Sequence, residues 1–132
     1  MQLVIAYLAA ALVFGGLDAM WLGFAGPNLY RPALGDLLAP NFRGAPAGVF
    51  YLTYLAGMVW FAIRPGIAQG ISAGALNGAL LGAMCYMTYD LTNQATLARW
   101  PLHVTLIDIV WGAFATAIAA AAGVWAARAY GG

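Results

Sequence analysis

"LVIAYLAAALVFGGLDAMWLGF", residues 3–24, carries a single charged side chain, Asp18, in a run otherwise apolar, aromatic or glycine. A helix that crosses about 30 Å of hydrocarbon needs roughly 20 such residues, so this stretch predicts a transmembrane span. The preceding "MQLV" context supplies no basic segment, and the apolar run is longer than a signal peptide uses, so the stretch is kept as a helix of the protein. Working outward, three more segments qualify, near 46–63, 68–89 and 103–127. Pro, Gly, Asn and Arg mark the dividers: "GPNLYRPALGDLLAPNFRGAP", "RPG" and "DLTNQATLARWP". The expected fold is a single all-α domain over 1–132, an integral membrane four-helix antiparallel bundle whose second and third helices form a tight hairpin.

Composition agrees. The chain has 132 residues, 64% hydrophobic and 7% charged, with a mean hydropathy of +0.84, well outside the range of soluble domains. Net charge is +1 and the arginines are dispersed, so no basic stripe exists to neutralise nucleic-acid phosphates, and nucleic-acid binding is not expected. The lone cysteine, Cys85, rules out an intramolecular disulfide and reads as a small buried side chain. Aromatic residues fall where the two membrane interfaces should be: Tyr7, Trp60, Trp125 and Tyr130 toward the termini, Trp21, Tyr30, Tyr89 and Trp100 toward the long loops. Arg31, Arg43 and Arg99 on the long-loop side, against Arg64 and Arg128 with the termini, favour long loops in the cytoplasm of a cell with the protein in its inner membrane. A margin of three against two leaves dual topology open.

The third span repeats glycine every four residues, at Gly70, Gly74, Gly78 and Gly82. Such a row lets helix backbones approach closely in lipid. It serves packing within the chain or, alternatively, a homodimer or partner-subunit seam. Tyr86 and Asp90 continue the series toward the polar end of the helix.

Three of the chain's four acidic residues meet at one depth. Asp18 lies about six residues before the end of the first helix and Asp108 about five after the start of the fourth, so both sit roughly 8–9 Å inside the boundary. Asp90 ends the third helix on the same side, and Tyr51 and Tyr54 enter that layer from the second. A carboxylate inside a membrane segment costs several kcal/mol unless it faces a cavity, finds a partner or becomes neutral. Asp18, Asp90 and Asp108 are therefore the candidate acid/base groups. Trp21, Tyr51, Tyr54, Tyr86, Tyr89, Thr92, Asn93, Trp100, His103 and Trp111 are the candidate binding residues around them. The plainer alternative is a structural lock, with an aspartate paired to Arg31, Arg99 or His103. Asn93 and the carboxylates have the oxygen chemistry of a hard-cation site, but no spacing marks a metal. No P-loop, nucleophile elbow, zincin helix or dinucleotide fingerprint occurs, so no motif indicates a cofactor.

Five blocks carry a family resemblance: "LDAMWLG" at 17–23, Tyr30 with "LG" at 34–35, "FYLTYLAG" at 50–57, "YDLTNQATLARWP" at 89–101 and "DIVWG" at 108–112. Together they resemble the uncharacterised bacterial membrane family catalogued as domain of unknown function 2177, over essentially the whole chain. The resemblance implies a compact four-helix inner-membrane protein with a site on Asp18, Trp21, Tyr89, Asp90, Thr92, Asn93, Trp100, Asp108 and Trp111. It implies no established activity, and a lipid-linked role by association only. The functions to be weighed are binding of a lipid or amphipathic small molecule, with or without catalysis in lipid or fatty-acid modification; a structural subunit of a membrane complex; and a dimeric proton-coupled exporter.

Overall fold

The structure, a computed structural model, describes residues 1–131. Its α-helices are α1 (Gln2–Ala25), α2 (Arg31–Leu34), α3 (Gly44–Met58), α4 (Arg64–Gln69), α5 (Ile71–Thr96) and α6 (Leu102–Gly131). Short turns of π- or 3-10 helix join several of them end to end, giving four helical rods long and apolar enough to cross a membrane: Gln2–Leu37, Gly44–Gln69, Ile71–Thr96 and Leu102–Gly131. The all-α four-helix expectation holds.

Three boundaries differ from the sequence reading, each for a backbone reason. The first rod runs on past residue 24 because the backbone stays helical through Ala25, Gly26, Tyr30 and Arg31 despite Pro27 and Pro32. The π turn Gly26–Tyr30 absorbs the ring's bulk between α1 and α2. Likewise "RPG" opens α4 instead of separating two spans. The reversal falls at Gly70, which both ends α4 and starts α5 with φ +120°, a region glycine adopts freely. The third rod extends seven residues beyond the expected 89, to Thr96, because Thr88, Thr92 and Thr96 each bond a carbonyl one turn back.

In a chain this apolar, helix faces are sorted by side-chain size. The buried stripe of α6 includes Gly112, Ala115, Thr116, Ala119, Ala120, Gly123, Val124 and Ala127, all small or β-branched at helical spacing. Leu106, Val110, Phe114 and Trp125 point outward, where lipid would cover them. α6 is the central helix, packed against α5, α1 and the second rod. Gly74, Gly78 and Gly82 of α5 are buried in this contact. A Cβ on Gly78 would meet the Thr116 carbonyl at 2.8 Å, and one on Gly82 would run into the Gly112 carbonyl; one on Gly74 would meet Val124 at 2.6 Å. The glycine row is thus filled by the chain's own helices.

Candidate functional site

The row that draws α5 onto α6 ends abruptly. One turn beyond Gly82 the next residue in the series is Tyr86, whose ring lies on Gly112, and one turn further is Asp90, wholly buried. Gly112 of α6 makes room for the Tyr86 ring, α5 and α6 stay in contact beyond it at Asp90 and Thr105, and a space lies beside them at the end of the bundle that carries the long loops. It is a cavity of about 270 Å³. Asp18 and Trp21 of α1, Tyr86 and Tyr89 of α5 and Asp108 and Trp111 of α6 form its sides.

Its cover comes from the unexpected helical extension of the first rod. Tyr30 and Leu34, four residues apart in the helical extension, also line the cavity, as does Leu38 from the extended backbone beyond Gly35. Trp21 donates its Nε1–H to the Tyr30 hydroxyl at 3.0 Å, and Tyr30 in turn donates to Asp108 Oδ1. Trp21 stacks on Trp111 with ring centroids 4.7 Å apart and planes at 11°. The end of the extension is tied down from outside by an exposed ion pair, Arg99 to Asp36, at 2.5 Å.

Asp18 and Asp108 thus share one cavity without sharing a partner. The Asp18 carboxyl lies toward the Trp111 indole, whose Nε1–H makes no bond of sound geometry. Asp90 faces the Asp108 carboxyl within hydrogen-bond reach; it is 0% exposed, and no group other than that carboxyl partners its oxygens. Buried polar atoms are nearly always satisfied, so a carboxyl partnered only by another carboxyl needs an explanation.

Several other expected residues fall elsewhere. Tyr51 donates to the Ala11 carbonyl at 2.5 Å, and the Tyr54 hydroxyl is 2.7 Å from Thr116 Oγ1. Both tyrosines tie the second rod to its neighbours, and neither lines the carboxyl cavity. Thr92 is exposed and satisfies its hydroxyl on the carbonyls of Thr88 and Tyr89. Asn93 is half-buried and His103 exposed, and neither lines the cavity. Trp100 does line it, edge-on to Tyr89, and its Nε1–H bonds Thr105 Oγ1 at 3.1 Å. No aspartate of the layer pairs with an arginine or with His103; among the described residues the one ion pair is Arg99 with Asp36. Nor do the described residues hold a cluster of three His, Cys, Asp or Glu suited to a metal.

Tyr30 is the partner sequence reasoning placed at an interface and not in the site. The available signal was its position between two prolines that each tolerate a helix start. A second cavity, about 320 Å³ and apolar, adjoins the first: Phe50 and Cys85 line it together with Tyr86 and Tyr89.

Fold and site define a small multi-pass membrane protein with a carboxyl and aromatic cavity at one end of its helical bundle. The chain belongs to the family described as predicted membrane protein DUF2177, whose family model matches residues 3–125. No curated protein and no solved structure gives a match to the chain.

Proposed function

We propose that the protein binds an amphipathic small molecule or lipid drawn from the bilayer, with its polar group among Asp18, Asp90 and Asp108 and its apolar body in the adjoining cleft. The observation that carries this reading is the double role of Tyr86 and Tyr89, which line both the carboxyl cavity and the apolar cleft. One molecule with a polar end and an apolar tail can therefore occupy the two spaces across a common wall. Tyr89 is 58% exposed and Phe50 is also exposed, so the cleft opens sideways, toward where acyl chains would lie.

The same geometry has the groups for proton exchange with a bound ligand. Two carboxyls face to face, with a phenol hydroxyl on one of them, can pass a proton between ligand and protein. A part in lipid or fatty-acid modification in a bacterial inner membrane fits this chemistry and is the functional setting we favour. The competing idea of an assembly subunit loses its main support, since the glycine seam is already occupied by α6 and α4.

Native mass spectrometry of the protein released from mild detergent tests the reading. Wild type is expected to retain a defined amphiphile that Asp108→Asn and Cys85→Trp both lose, the first through the polar end and the second by filling the cleft. If wild type and both variants are equally bare and equally helical, the binding reading is wrong.

A further inference from the structure

We infer that the polar group held in the cavity is a protonated amine, so that the ligand class is an amphipathic organic ammonium. The inference rests on the amphiphile reading above and goes further by assigning the charge of the head.

The argument is a count of donors against acceptors. Three donors near the cavity are already committed: the Tyr30 hydroxyl to Asp108, Trp21 Nε1 to Tyr30, and Trp100 Nε1 to Thr105. Trp111 Nε1 lies by Asp18 without a bond of sound geometry, and the hydroxyls of Tyr86 and Tyr89 on the cavity wall are the remaining donors, three against the six oxygens of the three carboxyls. Asp90 does not itself line the cavity; its two buried oxygens have no partner other than the Asp108 carboxyl, which forms the cavity's edge. The site is therefore rich in acceptors and short of donors, and it has no internal positive charge. The chain contains no lysine; neither Arg31 nor His103 lines the cavity, and Arg99 is engaged by Asp36.

Each ligand type meets this deficit differently. An anionic head adds acceptors and repulsion. A hydroxyl brings one donor and no charge. A protonated primary amine brings three N–H donors and one positive charge, enough to bridge Asp90 and Asp108 and still bond a third acceptor. The walls favour the same guest: Tyr86, Tyr89, Trp100 and Trp111 present aromatic rings, which attract organic cations. A bare metal ion fits less well, because it wants six or more oxygen ligands and no three candidate side chains converge among the described residues.

The test compares dodecylamine with dodecanol, which share a tail and differ in the head, by titration of tryptophan fluorescence in nanodiscs of zwitterionic lipid, with empty nanodiscs as the partition control. Wild type is expected to prefer the amine by about ten-fold or more, the equivalent of a modest charge-assisted contact. Asp90→Asn and Asp108→Asn should each abolish that preference while still binding the alcohol, which shows that the fold survives. Cys85→Trp should weaken both probes together. Equal binding of amine and alcohol to wild type overturns the ammonium assignment and leaves the amphiphile reading standing. Binding of neither overturns both. Displacement of the amine by millimolar Mg²⁺ but not by added methylamine assigns the site to an inorganic cation and overturns the proposal.

Discussion

Tyr30 shows how much can hang on one hydroxyl. It accepts from Trp21 and donates to Asp108, so it couples the aromatic stack of α1 to a carboxyl of α6 across the cover. Tyr30→Phe keeps the ring but leaves Asp108 without its donor and Trp21 without its acceptor. Losing a hydrogen bond to a partly buried charged group costs about 1–3 kcal/mol, and a correspondingly lower melting temperature is expected, measured by circular dichroism in detergent. A melting temperature equal to wild type would mean that water replaces the hydroxyl and that the cover is loose. At this scale the sequence is a partial guide. Asp18, Asp90 and Asp108 are legible because carboxyls in apolar runs are physically anomalous. Tyr51 and Tyr54 share the layer by register alone, and register does not say how far a helix stands from its neighbours. His103 and Thr92 are polar, yet a helix terminus lets such groups face outward at no cost, and they do.

Among the elements, the pairing of α5 and α6 changes character along its length, from glycines of α5 against the α6 backbone to the Tyr86 ring on Gly112 and the buried Asp90 beyond it. Gly82→Leu is expected to prevent folding, because any Cβ there meets the Gly112 backbone, which has no freedom to yield. Gly16→Ala, where a Cβ meets nothing within 4 Å, should leave folded yield and melting temperature unchanged. Gel filtration of the two variants side by side reads the contrast, and a monodisperse, wild-type-like Gly82→Leu would show that the helices pack otherwise. Gly70→Ala tests the turn: at φ +120° an alanine is strained by about 1–3 kcal/mol, so a drop in thermal stability is expected without loss of helicity. The glycine row and its continuation into Tyr86 and Asp90 were readable from a period of four. The extension of the first rod to Leu37 was not, since prolines and asparagine in "GPNLYRP" are equally the composition of a loop. Only the tolerance of a π turn for a proline separates the two cases, and composition does not report it.

For the molecule as a whole, orientation and access are the open variables that the fold turns into experiments. From the three-to-two arginine distribution we propose that the long loops, and with them the carboxyl cavity, face the cytoplasm. In a Cys85→Ala background, Ala39→Cys should therefore resist a membrane-impermeant maleimide in intact cells and react after permeabilisation; labelling in intact cells reverses the assignment. The exposed Arg99–Asp36 pair that ties down the cover is screened by salt and adds little to stability. Its loss in Arg99→Ala is expected to leave the melting temperature unchanged and to speed exchange of a bound fluorescent amphiphile, read by stopped-flow release. One feature of the packing also bears on how the protein is made. The helix on which the other rods pack, α6, is the one that follows them in the chain, and synthesis proceeds from the amino terminus. Until it leaves the ribosome, Asp18 and Asp90 enter the bilayer with neither Asp108 nor the Trp111 indole beside them. The nascent protein thus holds two of its three membrane-embedded carboxyls unsheltered for the duration of one helix.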